Sequence, residues 1–405
     1  MAAATTHDAG RGGTGVHPLP AWRGRVAVLS VTMGIFVIVT TEILPIGLLT
    51  PIGAAFAVSD GTTGLMMTMP GILAAIAAPV ITVVTARLDR RRMLCAFLAV
   101  LTVANVVAAA APGYWAVLVS RVLVGVTIGG FWAIASGLAE RLVPPRSAAR
   151  ATAVIFSAVP LGSVLGVPAG TFLGDLSGWR TAFVVLAVLS GAVLAALAVV
   201  LPPLPPLRAT SRGVLTAVLG RPGTRAALLV TVLVVLAHFG AYTYVRPFLE
   251  QVTEASPAAI TVVLLIYGTA GIAGNFLAGA GLPRYPRVVF GVSAGLLAAA
   301  TTLLPLAGTS LAGAVALLVA WGLAYGAVPV ASHTWFALAA PRAAEAASVL
   351  FTASFQATIA LGALAGGFVV DRSSASAVMV CGGLTAAAGV VAIAAGGARS
   401  RSSPA

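Results

Sequence analysis

The chain has 405 residues, of which 60% are hydrophobic and only 8% charged, and its mean hydropathy is +1.06. This composition excludes a soluble globular domain, because such a domain needs many more polar residues to cover its surface. The formal net charge is +13, and all of the basic residues are arginine. The two cysteines lie far apart in apolar segments, which supports neither a disulfide framework nor a metal site.

The arginines are spread along the chain in alternate loops, which argues against a nucleic-acid-binding surface. If the N-terminus is cytoplasmic, most arginines fall in cytoplasmic loops, as the positive-inside rule requires. The opposite loops carry the acidic residues Asp60, Asp175, Glu250 and Glu254. Both termini are therefore predicted to be cytoplasmic, and the number of membrane spans is predicted to be even.

Apolar runs of about 20 residues, long enough to cross a bilayer as helices, follow one another along the chain. The predicted spans are residues 24–50, 62–86, 93–111, 115–140, 150–174, 180–201, 225–250, 257–282, 287–306, 311–339, 342–370 and 374–396. We therefore predict an all-α membrane protein with twelve transmembrane helices. Its parts are a disordered cytoplasmic N-terminus at 1–22, a six-helix half at 23–201, a cytoplasmic linker at 202–224, a second six-helix half at 225–396 and a cytoplasmic tail at 397–405.

The two halves repeat each other in sequence. At an offset of 196 residues, Pro145-Arg146 matches Pro341-Arg342, Gly166 matches Gly362, Gly170 matches Gly366, Phe172 matches Phe368 and Asp175 matches Asp371. At an offset of 197 residues, Gly125 and Gly129 match Gly322 and Gly326. In the first span of each half, Thr41 and Pro45 match Thr243 and Pro247, so that Glu42 falls opposite Tyr244. This repeat predicts two pseudo-symmetric six-helix halves. Such an arrangement resembles transporters built from parallel repeats, in which an axis along the membrane normal relates the halves and the substrate site lies between them near the midplane.

Two charged side chains lie inside apolar spans. An ionised carboxylate in hydrocarbon costs roughly 2.5–3.5 kcal/mol on insertion scales, so Glu42 needs a cavity or a partner to receive it. Arg121 lies at a similar depth, which makes a pair with Glu42 geometrically possible. Two alternatives stay open: a purely structural ion pair between helices, and an Arg121 side chain that snorkels to the outer interface.

Four segments resemble the drug/proton antiporter branch of the major facilitator superfamily. Thr40–Pro45 is similar to its first helix, and Arg121–Trp132 is similar to its fourth-helix signature. Gly162–Gly170 resembles the antiporter motif of the fifth helix, although Val167 replaces the usual glycine before proline. Thr85–Arg92 occupies the place of the basic loop after the second helix, in a degenerate form. Within this branch, the chain resembles bacterial sugar-efflux and purine-ribonucleoside-efflux permeases.

The resemblance implies a proton-coupled secondary transporter in the bacterial inner membrane. Such a transporter exports a small organic solute, drug-like, sugar-like or nucleoside-like, by alternating access. It implies proton coupling by Glu42 and Arg121. It also implies conformational or packing roles for Gly162, Gly166, Pro168, Gly170, Arg90 and Arg91. Two simpler interpretations stay open: the glycines only allow tight helix packing, and the arginines only fix the orientation of the chain in the membrane.

A few polar and aromatic side chains lie at mid-membrane positions and are the candidates for solute binding. They are Thr41, Trp132, His238, Tyr242, Tyr267, Asn275 and Gln356. Such groups suit a neutral, hydrogen-bonding, partly aromatic solute. Each of them alone can instead be a hydrogen bond between helices or an interfacial aromatic residue.

The sequence offers no support for an enzyme. No pair of acids shares a helix face, and no Gly-rich loop precedes a nucleotide-binding lysine, since the chain has no lysine. We expect no cofactor, and we expect a functional monomer whose partners are the solute, protons and the bilayer. Two other hypotheses stay open: a proton-independent facilitator or importer, and a non-transporting membrane sensor built on the same fold.

Overall fold

A computed structural model describes residues 21–85, 87–135, 138–205, 212–282 and 284–401. Within these residues the chain forms helices and no strand, and twelve of the helices are long and apolar enough to cross a membrane. The predicted all-α membrane fold with twelve spans is therefore confirmed. Most of the N-terminal segment at 1–22, and parts of the linker and of the tail, lie outside the described residues.

The spanning helices are numbered here from first to twelfth in chain order. Those of the first half are Ala21–Ile43, Leu65–Val84, Arg90–Ala109, Tyr114–Ala135, Pro145–Ser177 and Trp179–Val200. Those of the second half are Pro222–Tyr242, Pro257–Gly281, Pro286–Ala307, Leu311–Ala339, Ala344–Arg372 and Ala375–Arg401. Shorter helices are Leu49–Phe56, Asp60–Thr63, Ala139–Leu142, Arg212–Leu219 and Val245–Gln251, with 3₁₀ turns at Leu44–Leu48 and Pro341–Ala343.

The first and seventh spans are interrupted at equivalent places. The first helix ends at Ile43 and gives way to the 3₁₀ turn that contains Pro45. The seventh helix ends at Tyr242, and the chain becomes helical again just before Pro247. Proline has no N–H to donate and its ring clashes with the preceding turn, so it favours a break in the helix, although the fifth and tenth helices continue through prolines. The predicted spans 24–50 and 225–250 are therefore each a long helix followed by a short one.

The sequence repeat is also a packing repeat. A Cβ atom on Gly125 of the fourth helix would lie 2.5 Å from the Pro70 carbonyl oxygen of the second helix. A Cβ atom on Gly322 of the tenth helix would likewise overlap the Tyr267 carbonyl oxygen of the eighth helix. Small residues at these crossings let helix backbones approach closely. One hydrophobic core lies within the first half, and the other lies in the second half but also includes Ile46, Met67 and Val167 of the first half.

The halves meet along two helix pairs, the second with the eleventh and the eighth with the fifth. We call the end of the bundle that holds residues 87–90 and 201–205 the linker end, and the opposite end the distal end. Asp89 caps the third helix by accepting from the Arg92 amide at 3.2 Å and also accepts from the Leu204 amide at 2.8 Å. Arg141 donates to the Pro205 carbonyl at 2.8 Å. The start of the linker is thus fixed to the first half.

Candidate functional site

Glu42 lies at the boundary between the two halves, in the last turn of the first helix before the proline interruption. Its side chain is buried. The Gln356 amide nitrogen, on the eleventh helix, donates a hydrogen bond to the Glu42 carboxylate at 2.9 Å. Two side chains that the sequence assigned to separate roles, proton coupling and solute binding, are therefore direct partners across the boundary.

Arg121 lies beside Glu42 but contacts the neighbouring backbone. Its guanidinium is fully buried and donates to the Thr41 carbonyl oxygen at 2.8 Å. Within the described residues, Glu42 and Arg121 form no ion pair shorter than 4.0 Å, although their charges interact electrostatically. Two of the guanidinium nitrogens, Nε and Nη2, have no hydrogen-bond partner among the residues that the structure describes. The guanidinium does not reach the surface of the bundle, so it does not snorkel in this conformation.

A buried amide on the third helix completes the polar group in the first half. The Asn105 side-chain nitrogen is 3.4 Å from the Thr41 hydroxyl, and its side-chain oxygen has no hydrogen-bond partner in the described part of the chain. Buried polar atoms are nearly always hydrogen-bonded, so unpartnered ones mark a place where water or a solute group can bind. The sequence interpretation missed Asn105, although a lone amide in an apolar span was the available signal.

The second half holds a column of stacked rings. The rings of Tyr325 and His238 are parallel to within 6°, with centroids 3.3 Å apart. Tyr242 stacks on His238 at 5.0 Å, and Tyr267 stacks on Tyr242 at 4.6 Å. Trp321 stands nearly perpendicular to three of these rings and donates its indole N–H to His238 Nδ1 at 3.0 Å. We call these five side chains the aromatic column.

The column joins predicted and unpredicted residues. His238, Tyr242 and Tyr267 were predicted to bind solute, whereas Trp321 and Tyr325 were missed. Their i, i+4 spacing in the tenth span, which places both rings on one helix face, was the available signal. Tyr325 also lies close enough to Glu42 for their side chains to interact electrostatically. The column therefore reaches towards the boundary between the halves.

Two predicted solute-binding residues lie away from this group. Trp132 comes eleven residues after Arg121 on the same helix, about 16 Å along the axis. Its ring packs against Phe156 at 6.0 Å. Asn275 comes eight residues after Tyr267, about 12 Å along the eighth helix, and is half-buried. The structure does not bring these two side chains to Glu42.

An arginine links the halves at the distal end. Arg246, from the short helix after the seventh-span interruption, is almost fully buried. It donates to Glu250 at 2.7 Å, to the Gly47 carbonyl at 2.5 Å and to Asp175 at 3.1 Å. Gly47 and Asp175 belong to the first half. We call these four residues the distal latch.

The repeat-related aspartates Asp175 and Asp371 each bond to the opposite half at the distal end. Asp175 pairs with Arg246. Asp371 accepts from the Ser59 hydroxyl at 2.7 Å and from the Gly61 amide at 2.8 Å. These contacts hold the distal ends of the two halves together in this conformation.

The glycines of the predicted antiporter motif face the first helix. Cβ atoms on Gly162, Gly166 and Gly170 would lie 2.9–3.1 Å from side-chain atoms of Val39, Ile43 and Leu44 respectively. Pro168 is buried in the same continuous fifth helix. The glycine face thus runs along the segment of the first helix that leads to Glu42 and its interruption.

The arginines of the basic loop bind helix ends. Arg90 donates to the Thr85 carbonyl at 3.2 Å, at the end of the second helix, and Arg91 donates to the Ala198 carbonyl at 2.5 Å, near the end of the sixth. Cations are favourable at helix C-termini because unsatisfied carbonyls point there. Within the described residues, no group of His, Cys, Asp and Glu side chains is placed to hold a metal ion.

Comparison with known proteins decides the family. The family model described as Major Facilitator Superfamily matches residues 31–357. The chain belongs to the major facilitator superfamily. The resemblance inferred from its first, fourth and fifth spans is therefore confirmed.

Curated relatives cover most of the chain. It is 35% identical over 360 residues to the Transcription regulatory protein OpdE of Pseudomonas aeruginosa, covering 87% of this chain and 88% of that protein. It is 31% identical over 353 residues to the Purine ribonucleoside efflux pump NepI of Shigella sonnei and of Escherichia coli K12, again covering 87% and 88%.

Solved structures share the fold. A bacterial homologue of the human lysosomal transporter Spinster, in an inward-facing and unoccupied conformation, aligns with a TM-score of 0.72 and 18% identity, over 92% of this chain and 95% of that one. The human organic anion transporter MFSD10 aligns with a TM-score of 0.65 and 20% identity, over 91% and 99%.

Proposed function

We propose that this member of the superfamily is a proton-coupled transporter that exports a small organic solute by alternating access. The observation that carries the proposal is the position of Glu42. It is a buried carboxylate at the boundary between the halves, bonded to Gln356 of the other half and next to the partly unpartnered Arg121. An ionisable side chain at such a place is a functional site by default.

Two opposed effects act on the charge of Glu42. Burial favours the neutral acid, whereas a nearby guanidinium favours the carboxylate. The free N–H groups of Arg121 can receive the carboxylate once the halves rock apart and the bond to Gln356 breaks. Protonation therefore stabilises the two conformations differently, and only such a difference can move the equilibrium between them.

We propose that the linker end faces the cytoplasm and that the membrane is a bacterial inner membrane. The distribution of charge supports this orientation: Arg87, Arg90 and Arg141 lie at the linker end, whereas Asp175 and Glu254 lie at the distal end. The bonds of the distal latch then close the outward side. In this orientation a proton enters from outside when the latch is open and leaves at the cytoplasmic end as the solute is carried out.

We propose that the solute binds between Thr41 and Gln356 on one side and the aromatic column on the other. The relatives named as purine ribonucleoside efflux pumps support export, and they make nucleoside-like compounds the first candidates. Trp132 and Asn275 are distant from this place and are left out of the proposed site.

One observation favours a second candidate function. The relative that shares 35% identity is named a transcription regulatory protein. A chain with this fold can act as a membrane sensor that binds a solute without moving it. Such a sensor would bind the solute and yet show no solute-dependent proton flux.

The test uses purified protein in proteoliposomes that contain a pH-sensitive dye. Nucleosides, sugars and drug-like cations are added one at a time, and solute accumulation is measured with and without an imposed pH gradient. We expect at least one solute to accumulate only when the pH gradient is imposed. When the same solute is added without a gradient, we expect it to drive protons out of the vesicles. A facilitator would equilibrate the solute with no proton flux, and a sensor would show neither movement.

A further inference from the structure

We infer that the solute is a planar heteroaromatic compound whose ring stacks on Tyr325 as the next member of the aromatic column. This inference rests on the proposed function, because it names the class of solute that the same site takes. The relatives' names suggest one kind of solute, but the geometry of the column is an independent observation.

The aromatic column is a preformed stacking surface. Four rings follow one another face to face, Tyr325, His238, Tyr242 and Tyr267, with interplanar angles of 6°, 20° and 25°. Trp321 packs against the side of the stack and is hydrogen-bonded to His238. This bond fixes the plane of the imidazole and therefore the plane of Tyr325 above it. A binding surface held in this way loses little conformational freedom when a ligand binds.

Tyr325 is the one ring of the column that remains accessible. His238, Tyr242, Tyr267 and Trp321 are all buried, whereas Tyr325 is only half-buried. His238 covers one of its faces, and Phe239 is perpendicular to it at 5.9 Å. A further ring can therefore join the column only at Tyr325.

Hydrogen-bonding groups lie close to Tyr325. Glu42 interacts electrostatically with Tyr325, and Gln356 is bonded to Glu42. A primary amide offers both a donor and an acceptor, which is the pattern that matches the edge of a nucleobase. A saturated sugar has hydroxyl groups for Gln356 but no flat face for Tyr325. The combination of face and edge therefore selects heteroaromatic rings.

The alternative is that the column only stabilises the second half. Both roles involve packing, so loss of stability cannot distinguish them. Selectivity can, because base–aromatic stacking depends on a flat ring in the ligand. Uridine and dihydrouridine make a matched pair: they carry the same ribose and the same polar edge, but the dihydro ring is puckered.

The test measures equilibrium binding of radiolabelled uridine, inosine, dihydrouridine and ribose to purified protein without any gradient. We expect saturable binding of uridine or inosine. Dihydrouridine and ribose should bind at least about tenfold more weakly than these nucleosides. Tyr325→Phe keeps the face and should bind within about threefold of the original protein. Tyr325→Leu should bind about 5- to 150-fold more weakly, the range found when a stacking side chain is removed.

Phe290→Leu is the matched control, because it removes a buried ring from the same half, where Phe290 packs against Trp335. It should leave uridine binding unchanged. The inference is overturned if neither uridine nor inosine binds, if dihydrouridine binds as well as uridine, or if Tyr325→Leu and Phe290→Leu have equal effects. The comparison of uridine with dihydrouridine on the original protein holds even if Tyr325→Leu fails to fold.

The two proposals can fail separately. If a sugar accumulates only when the pH gradient is imposed, while uridine and inosine do not bind, the inference fails and the proposed function stands. If uridine binds through Tyr325 but is never accumulated under a pH gradient, the inference stands and proton-coupled export fails.

Discussion

Gln356 of the second half donates a hydrogen bond to the Glu42 carboxylate of the first half at 2.9 Å, and both side chains are buried. The bond lies between the distal contacts and the linker end, at the depth where the halves turn about each other in the proposed cycle. Because the bond joins the ionisable side chain of one half to the other half, a change in the protonation state of Glu42 acts directly on the contact between the halves.

Replacing Gln356 with leucine should uncouple the halves. A hydrogen bond to a charged group contributes about 1.5–3 kcal/mol, so its loss from the closed conformation corresponds to a change of tenfold or more in the conformational equilibrium. We expect gradient-driven accumulation in proteoliposomes to fall at least tenfold. Thr358→Ala is the control, because the Thr358 hydroxyl bonds only within its own helix, to the Ser354 carbonyl. Equal transport by the two variants would show that the bond has no coupling role.

Removing the Arg246 side chain should open the distal end. Arg246→Ala deletes the bonds to Gly47 and Asp175 of the other half. Arg246→Lys keeps the charge but cannot bond to all three partners, because lysine lacks the guanidinium fork. With spin labels at Ala55 and Ala258 in a protein without native cysteines, we expect a longer distance component in Arg246→Ala and a smaller one in Arg246→Lys. Unchanged distance distributions would show that the latch does not keep this end closed.

A large side chain at Gly166 should impair transport. A Cβ atom there would lie 3.0 Å from the Ile43 side chain, next to Glu42, whereas Ala169 already carries a Cβ atom and is only half-buried. Overpacking typically costs about 1–3 kcal/mol. Transport rates and melting temperatures of Gly166→Leu and Ala169→Leu are compared, and we expect the larger loss in Gly166→Leu. If both variants tolerate leucine equally, the glycine face has no special role.

The orientation in the membrane can be tested with phosphatase fusions. Alkaline phosphatase is active only outside the cytoplasm. A fusion after Glu254, at the distal end, should be active, and a fusion after Arg212, within the linker, should be silent. The opposite pattern would reverse the orientation inferred from the arginines, and with it the direction of transport.

Much of the fold could be predicted from the sequence because it depends on local properties. Runs of apolar residues predict the spans. The repeat is visible in glycines that lie against a neighbouring backbone, such as Gly125 and Gly322. The interruptions of the first and seventh spans were not assigned, although the matched prolines Pro45 and Pro247 mark both of them. A proline in an apolar run predicts a change of helix without saying whether the helix kinks or stops.

The candidate site was only partly predictable because its contacts are between residues far apart in sequence. Glu42 and Gln356 are separated by 314 positions, and their chemistry suggested relevance but not partnership. Tyr325 was missed because the sequence does not show which aromatic residues of different spans come together. Tyr325 becomes a candidate only because its ring stacks on His238, with the ring centroids 3.3 Å apart.

The most direct test of proton coupling by Glu42 is gradient-driven accumulation by the Glu42→Gln variant in proteoliposomes with an imposed pH gradient. Glutamine has the shape of the protonated acid but cannot exchange a proton. We expect the variant to fold, to bind solute and to lose gradient-driven accumulation, while Glu254→Gln, the same change at an exposed acid, behaves like the original protein. If Glu42→Gln vesicles still accumulate solute against its gradient when the pH gradient is applied, Glu42 is a structural residue and the proposed coupling is wrong.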